Sequence, residues 1–330
     1  MTFAPQSPAL KEDQTRLPQV LKRQKYHIVG VHSAVKKCNW LHQSLVNNKP
    51  CYKEKFYGIE AHRCVQMSPT SAYCSLRCLY CWRVQPQDIG VSWNELSPPS
   101  WDPPEPIVEG CVEEQRRILS GYKDLVLKGR VEQRKFEEAL DPKHVAISLA
   151  GEPTLYPHLD GLIQGFKRRG FTTFLVTNGT MPKTLENLGE EPTQLYVTLP
   201  AADERSFRLI GRPLVNNAWK RLMETLRLLP SLSTRTVIRL TLVKGVNMEN
   251  PEDYARIIEG ASPLFVEAKA YMHVGFSQRR LKRGNMPLHC EVKNFALEIS
   301  RCSGYDLVDE SADSRVMLLS RKGKPSRIGV

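Results

Sequence analysis

The residues of this chain that could hold a metal are cysteines, and three of them stand close together. Cys74, Cys78 and Cys81 follow a C-x3-C-x2-C spacing. Three thiolates on one short loop can bind three irons of a cubane 4Fe–4S cluster, which leaves the fourth iron open to a small molecule. Zinc is the competing metal, but a structural zinc site takes four ligands, usually from two C-x2-C pairs. Only Cys78 and Cys81 form such a pair, so the spacing favours an iron–sulfur cluster.

A second group of cysteines is spread evenly through the preceding segment. Cys38, Cys51 and Cys64 are each separated by twelve residues. Isolated cysteines do not suit zinc knuckles, and no fourth protein ligand is evident. The spacing alone leaves open a second cluster with an open iron and buried cysteines that bind nothing. We expect packing or surface thiols for the other three cysteines, which fall in or beside predicted helices: Cys111, Cys290 and Cys302.

The elements that must position these residues alternate between strand and helix. The sequence predicts strands at 61–67, 144–149, 171–176, 194–199, 236–243 and 264–272, and helices at 107–128, 159–169, 218–229, 251–259 and 292–300. Short apolar strands separated by helices predict six parallel β-α-β units with right-handed crossovers. In such a sheet the chemistry lies at the carboxyl ends of the strands.

Polar residues follow three of these predicted strands. The second strand leads into Gly151-Glu152-Pro153-Thr154. Gly151 allows a ligand to approach the backbone, and the Glu152 carboxylate can accept a hydrogen bond from an ammonium group. Asn178 follows the third strand and Thr198 ends the fourth. A Gly-Glu-Pro tripeptide alone is an ordinary turn, but its place at a strand end after the cysteine loop favours ligand binding.

The cysteine loop resembles the signature of the radical S-adenosylmethionine (radical SAM) enzymes, and Tyr80 before the last cysteine fits that family too. The resemblance implies a 4Fe–4S cluster whose open iron binds the amino and carboxylate groups of S-adenosylmethionine. One electron then releases a 5′-deoxyadenosyl radical. The Gly-Glu-Pro segment resembles the family's GGEP motif, with Ala150 in place of the first glycine. The implied cofactor-binding residues are Tyr80, Gly151, Glu152, Pro153, Thr154, Asn178 and Thr198.

The fold class that this resemblance implies is α/β, a partial (β/α)6 barrel. We expect the barrel at residues 61–302 and a mobile N-terminal tail at 1–25. Between them lies an N-terminal extension, 26–60, with ligands of a second cluster. Residues 303–330 form a C-terminal extension.

The combination of C-x12-C-x12-C with C-x3-C-x2-C resembles the archaeal-type tRNA 4-demethylwyosine synthases of wybutosine synthesis. Residues 57–69, 211–219, 242–248, 266–272 and 314–319 resemble that family as well. The resemblance implies a carbon–carbon lyase with two 4Fe–4S clusters. Its substrates would be pyruvate and the N1-methylguanosine beside the anticodon of tRNA-Phe. The radical removes a hydrogen from the N-methyl group, the carbon radical attacks carbon 2 of pyruvate, and the pyruvate C1–C2 bond breaks. Ring closure gives 4-demethylwyosine.

Pyruvate could be held as an imine, which requires a lysine with a neutral amine. Lys53 is our candidate because it lies two residues after Cys51, and the resemblance places the imine lysine on this segment. Lys269, at the end of the sixth predicted strand, is the alternative. Lys55 lies too far along the segment to share the orientation of Lys53.

The charge of the chain favours a polyanionic partner. Lys and Arg number 47 against 35 Asp and Glu, a net charge of +12. Arg279, Arg280, Lys282 and Arg283 follow the last barrel strand, and we predict that they contact tRNA phosphates. The eukaryotic members of the family carry an extra flavodoxin-like domain, for which this chain has no room. We therefore expect a separate flavodoxin- or ferredoxin-type electron donor, and a monomer.

Two other functions fit part of the sequence. A zinc-stabilised, cysteine-rich RNA-binding module without catalysis explains the charge and the cysteines, but not the motifs at the strand ends. A radical SAM enzyme with another substrate explains both. No stretch approaches the roughly 18 apolar residues of a membrane-spanning helix, and the N-terminus has no apolar signal segment. A soluble, cytoplasmic protein is expected.

Overall fold

The computed structural model describes residue 17, residues 19–91 and residues 94–328. Its ten strands form one sheet in the order β1-β2-β3-β4-β5-β6-β7-β8-β10-β9. The strands are β1 His27–Val29, β2 Ser33–Val35, β3 Cys64–Ser68, β4 His144–Ile147, β5 Thr172–Thr177, β6 Gln194–Thr198, β7 Arg235–Leu242, β8 Phe265–Ala270, β9 Asp306–Ser311 and β10 Val316–Ser320. Six neighbouring strands, β3 to β8, are parallel. The predicted partial (β/α)6 core is confirmed.

Helices connect and cover these strands. Within the described residues they are α1 Asn39–Asn47, α2 Tyr52–Tyr57, α3 Pro104–Ser120, α4 Lys123–Leu127, α5 Gln133–Leu140, α6 Leu159–Arg168, α7 Pro182–Glu186, α8 Glu204–Gly211, α9 Ala218–Leu228, α10 Pro251–Ala261 and α11 His289–Cys302. The predicted helix at 107–128 is two helices, α3 and α4. None of the helices among the described residues is long and apolar enough to cross a membrane.

Alternate residues of the parallel strands face opposite sides of the sheet. One side carries Val145, Leu195 and Val266, which pack with helices such as α3, α6 and α10 in the main core. The other, inner side carries Phe174 and Tyr196, which pack with α2. The inner side is where several polar and charged side chains described below also lie.

The two ends of the sheet are antiparallel additions. The β1–β2 hairpin joins the edge of β3 through β2, and β10 pairs with β8 while β9 pairs with β10. These four strands and helices α1 and α2 were not predicted; β1 and β2 have only three residues each and α2 only six, too few for a periodic pattern.

The predicted mobile tail differs from the structure where the structure describes it. Leu17 and Leu21 are each 2% exposed and pack with Tyr26 and Ala34 in one apolar cluster. Burial of these leucines in a shared cluster anchors the segment, so the prediction is wrong for these positions. Residues 1–16 and residue 18 lie outside the described residues.

Candidate active site

The cysteine loop lies at the carboxyl end of β3, beside the segment that follows β4. Backbone hydrogen bonds join the two: the Glu152 N–H donates to the Tyr73 carbonyl at 2.8 Å. The Arg77 and Leu79 N–H groups donate to Gly211 and Ile210, at 2.8 and 2.9 Å. The loop is therefore anchored on both sides of its first two cysteines.

The three thiols of this loop interact electrostatically. Burial, and after it the neighbouring Cys81, raises the pKa of Cys78 to about 12. Burial also holds the pKa of Cys74 well above its usual range, with Glu152 and Cys78 adding to the effect. Three thiolates in one buried place require a compensating positive charge, and metal ions supply it. The trio therefore fits a metal-containing group.

The spacing of the sulfur atoms indicates which kind of group fits. Sulfurs around one tetrahedral zinc, each about 2.3 Å from the metal, lie about 3.8 Å apart. Among the described residues, the only trio of His, Cys, Asp or Glu whose ligand atoms all lie within 4.8 Å of one another is Glu60, His62 and Glu138. Neither cysteine trio is that tight. The wider spacing suits a cluster, in which each thiolate binds a different iron.

Hydrogen bonds of Glu152 and Asn178 join the segments after β4 and β5 to the cysteine loop. One carboxylate oxygen of the buried Glu152 accepts hydrogen bonds from the Thr154 N–H, the Thr154 hydroxyl and the Thr177 hydroxyl, at 3.1, 2.6 and 2.6 Å. The other accepts from the Asn178 N–H at 2.8 Å. The Asn178 amide donates to the Ser75 hydroxyl at 2.9 Å and lies 3.9 Å from Cys74 Sγ. The Glu152 carboxylate is thus engaged within the chain, and its contact with a ligand ammonium stays a prediction.

The other predicted cofactor residues lie around the same edge. Pro153 and Thr154 are buried in a short turn after Glu152. Tyr80 is partly buried and hydrogen-bonds to Cys78. Thr198 ends β6 and pairs in register with Arg239 of β7. Their contacts with a cofactor stay predictions.

The second cysteine trio also comes together, from three separate elements. Cys38 precedes α1, Cys51 precedes α2 and Cys64 begins β3. Burial, and after it the neighbouring Cys38, raises the pKa of Cys51 to about 11 and that of Cys64 to about 12. The Lys53 N–H donates a hydrogen bond to Cys51, which lowers that pKa because it stabilises the thiolate. The remaining cysteines are apart from both trios: Cys111 is buried, and Cys290 and Cys302 are exposed.

Lys53 lies on the inner side of the sheet, between two aromatic rings. Its side chain is 8% exposed, and its Nζ lies 4.5 Å from the ring centroids of both Phe174 and Tyr196. Burial lowers the pKa of Lys53, and the positive charge of Arg239 lowers it further. Lys55, by contrast, is half-exposed and pairs with Asp309 at 2.8 Å. The two lysines therefore differ in burial, and the assignment of the imine to Lys53 stays a prediction.

A buried polar network adjoins Lys53. Glu267 is fully buried and accepts hydrogen bonds from the Tyr52 and Tyr57 hydroxyls at 2.9 and 2.8 Å. Arg239 pairs with the same carboxylate at 3.2 Å. We did not single out Arg239 and Glu267 from the sequence. The sequence feature that could have identified them is a charged residue within an otherwise apolar strand. Burying such a charge is costly unless it is paired.

The predicted RNA-binding run divides into two kinds of residue. Arg280 forms an ion pair with Asp88 in which both side chains are under a tenth exposed, and it donates to the Leu79 carbonyl at 3.2 Å and to the Cys81 carbonyl. Its guanidinium supports the cysteine loop, so the prediction that it contacts phosphate is wrong. Arg279, Lys282 and Arg283 are exposed.

Comparisons with known proteins agree with this site. The model of the radical SAM superfamily matches residues 68–258, and the model for wyosine base formation matches residues 260–321. Because the first match covers more than half of the chain, the protein is a radical SAM enzyme, a class whose cofactors are S-adenosylmethionine and a 4Fe–4S cluster.

The relatives define the family within this class. The S-adenosyl-L-methionine-dependent tRNA 4-demethylwyosine synthase of Pyrococcus abyssi is 49% identical over 92% of this chain and 87% of its own length. The synthase of Methanocaldococcus jannaschii is 44% identical over 93% of this chain and 96% of its own. The chain belongs to the tRNA 4-demethylwyosine synthases. A solved structure of TYW1 with a lysine-pyruvate adduct bound has a TM-score of 0.84 and 42% identity, covering 93% of this chain and 96% of that one.

Proposed function

We propose that this enzyme converts N1-methylguanosine beside the anticodon of tRNA-Phe into 4-demethylwyosine, with pyruvate as the second substrate. One observation carries the proposal: Lys53 is buried between Phe174 and Tyr196 within electrostatic reach of Cys51 and Cys64. The lysine-pyruvate adduct in the TYW1 structure shows that a lysine of a similar protein binds pyruvate.

Lys53 provides the covalent contact with pyruvate. Its neutral amine attacks the ketone carbon, the C–O bond breaks, and water leaves as the imine forms. Burial and the nearby guanidinium of Arg239 favour the neutral amine because both disfavour the ammonium form. The rings of Phe174 and Tyr196 limit the directions that the lysine side chain can take.

Cys38, Cys51 and Cys64 bind a second 4Fe–4S cluster in this proposal. Three half-buried cysteines from three separate elements interact electrostatically, and at least two of their sulfurs lie farther apart than 4.8 Å, which supports a cluster over a single zinc ion. A cluster held by these thiols would supply a Lewis-acidic metal for pyruvate beside Lys53.

Cys74, Cys78 and Cys81 hold the first cluster, which with S-adenosylmethionine supplies the radical that removes a hydrogen atom from the N-methyl group. The residues around it position both. Glu152 and Asn178 fix the loops on one side, and Arg280 fixes the Leu79–Cys81 segment on the other. The new bond joins the N-methyl carbon to carbon 2 of pyruvate. The C1–C2 bond of pyruvate breaks and carbon 1 leaves as formate or carbon dioxide, while the exocyclic amine of the guanine replaces Lys53 on carbon 2 and closes the ring.

Two partners complete the proposal. Arg279, Lys282 and Arg283 are exposed cations that contact tRNA phosphates. A separate flavodoxin- or ferredoxin-type protein delivers the electron to a monomeric enzyme.

The test is product formation by the anaerobically reconstituted enzyme. It is supplied with S-adenosylmethionine, a reductant, isotope-labelled pyruvate and tRNA-Phe that carries N1-methylguanosine. Mass spectrometry of the digested tRNA is expected to show 4-demethylwyosine with label from carbons 2 and 3 of pyruvate. The matched control is the same tRNA without the N1-methyl group, which gives no product. Cleavage of S-adenosylmethionine without labelled product on either tRNA would indicate another substrate.

A further inference from the structure

The inner side of the sheet carries more positive than negative side-chain charge. The cations Arg239 and Lys269 lie there with one carboxylate, Glu267, beside the Lys53 amine, which the proposed function takes as neutral. Glu267 is engaged by Arg239 and by the hydroxyls of Tyr52 and Tyr57. Among the described residues, the Nζ of neither Lys53 nor Lys269 makes a hydrogen bond or an ion pair, so the charge of Lys269 is unpaired. Since a buried charge is costly when unpaired, this arrangement favours an anion.

Lys269 is placed to bind such an anion. It is partly buried on β8, two residues nearer the carboxyl end of that strand than Glu267. Its Nζ lies 4.6 Å from the ring centroid of Tyr52, the residue that precedes Lys53. Lys269 and Lys53 also interact with each other and with Cys51. The two lysines therefore face one space beside the second cysteine trio.

We propose that Lys269 binds the carboxylate of the 2-oxo acid whose ketone reacts with Lys53. This inference rests on the proposed function. Lys53 takes the carbonyl carbon, and the Lys269 ammonium donates charge-assisted hydrogen bonds to the carboxylate. These two contacts make the site selective for 2-oxo acids over neutral ketones and aldehydes, because only a 2-oxo acid carries a carboxylate that pairs with the Lys269 ammonium.

The side chains around Lys269 support an ionic contact. Glu267 forms its ion pair with Arg239 and acts on Lys269 only at longer range, so among the described residues no carboxylate is in direct contact with the Lys269 ammonium. Arg239 lies 4.5 Å from the ring centroid of Tyr196, the same ring that Lys53 contacts, and adds positive charge to the space. A competing explanation is that Lys269 balances the thiolates of the second trio. In that case its removal would reduce iron content and would not discriminate between ketones.

The experiment measures trapping of an imine on Lys53 in the anaerobically reconstituted enzyme. Cyanoborohydride reduces the imine to a stable secondary amine, which peptide mass spectrometry locates. The probes are pyruvate and hydroxyacetone, a neutral ketone in which a hydroxymethyl group replaces the carboxylate. The native enzyme is expected to trap pyruvate at a half-saturating concentration at least about tenfold below that of hydroxyacetone, as expected for one charge-assisted hydrogen bond.

Lys269→Gln is expected to remove this preference. Half-saturation by pyruvate rises at least about tenfold while that by hydroxyacetone is unchanged, and the matched Lys269→Arg variant keeps the preference because it keeps the cation. Iron content and circular dichroism establish that each variant is folded.

Several results would overturn the proposal. These are equal half-saturation of the native enzyme by both ketones, an equal change for both ketones in Lys269→Gln, no change in that variant, or loss of iron from it. The comparison of pyruvate with hydroxyacetone in the native enzyme needs no variant. It therefore tests the proposal even if Lys269→Gln fails to fold. Absence of label on Lys53 from either ketone contradicts the imine of the proposed function instead. Label on Lys269 contradicts both assignments.

Discussion

Gly151 and Thr70 approach so closely that a Cβ on Gly151 would lie 1.7 Å from the Thr70 carbonyl oxygen. Gly151 also has a φ of +69°, which disfavours any other residue. The close approach holds the Gly-Glu-Pro segment against the cysteine loop. The predicted need for glycine was correct, but the neighbour that requires it in this structure is the chain itself.

Gly151→Ala is therefore expected to displace the cysteine loop. The variant should lose iron from the first cluster and reduce cleavage of S-adenosylmethionine at least about tenfold, which corresponds to about 1.4 kcal/mol. Iron content and 5′-deoxyadenosine release measure the two effects. The matched control is Gly260→Ala in helix α10, where a Cβ meets nothing within 4 Å. Gly260→Ala should keep its first-cluster iron and its cleavage of S-adenosylmethionine, and should gain up to about 1 kcal/mol of stability. Full cluster content in Gly151→Ala would contradict this account.

The two cysteine trios are expected to lose metal independently. Alanine at Cys74, Cys78 or Cys81 should abolish cleavage of S-adenosylmethionine. Alanine at Cys38, Cys51 or Cys64 should remove about half of the iron and prevent product formation. Iron and labile sulfide in anaerobically purified protein are the measurements, with Cys290→Ala as the exposed-cysteine control. Zinc in place of iron would exclude the clusters.

Arg280 and Lys282 are expected to behave differently although they are two residues apart. Arg280→Gln leaves Asp88 buried without its partner, which costs about 3–5 kcal/mol and releases the Cys81 carbonyl. We expect a lower melting temperature and loss of first-cluster iron. Lys282→Ala should keep the native melting temperature and iron content. It should reduce the slope of the logarithm of the tRNA binding constant against the logarithm of the salt concentration by up to about one. Binding titrations at several salt concentrations test it, and an unchanged slope would exclude Lys282 from the tRNA contact.

Lys53→Ala is expected to abolish both pyruvate trapping and product formation, because Lys269, the other lysine that interacts with Cys51, is assigned to the carboxylate and not to the ketone. Lys55→Ala is the matched control two residues away. It removes an ion pair with Asp309 that is half-exposed on the lysine side and worth at most about 1 kcal/mol. Trapping with labelled pyruvate and peptide mapping compare the two variants. Full activity of Lys53→Ala would show that another group activates pyruvate.

Acid is expected to destabilise the fold through His144. Burial lowers the pKa of this histidine from 6.5 to about 4, and its Nε2 accepts a hydrogen bond from the Glu60 N–H at 3.0 Å. Its contribution to stability is present above 6.5 and is lost as the pH falls toward 4, because the unfolded chain then binds the proton more readily. His144→Gln should show a shallower decrease of melting temperature over this range. An equal pH dependence in both proteins would assign the effect elsewhere.

The parallel core and both cysteine trios could be recognised from the sequence. Buried strands leave continuous apolar runs such as that before Gly151, and metal ligands must be particular residue types at short spacings. Lys53 could be found because it lies two residues from Cys51. Nothing local predicted the β1–β2 hairpin, since three-residue strands leave no periodic pattern. The β9–β10 pair, with strands of six and five residues, was not predicted either.

Tertiary structure alone decided which charged residues face the inner side and which face solvent. Arg279, Arg280, Lys282 and Arg283 look alike as a sequence, yet only Arg280 meets a buried carboxylate, at Asp88, nearly two hundred residues away. Likewise, Lys269 shares a space with Lys53 because β8 and α2 pack together across the sheet. The sequence determined the chemistry available to this protein, through residue types and local spacing. The contacts that assign each charged group its role join distant segments, and folding alone brings those segments together.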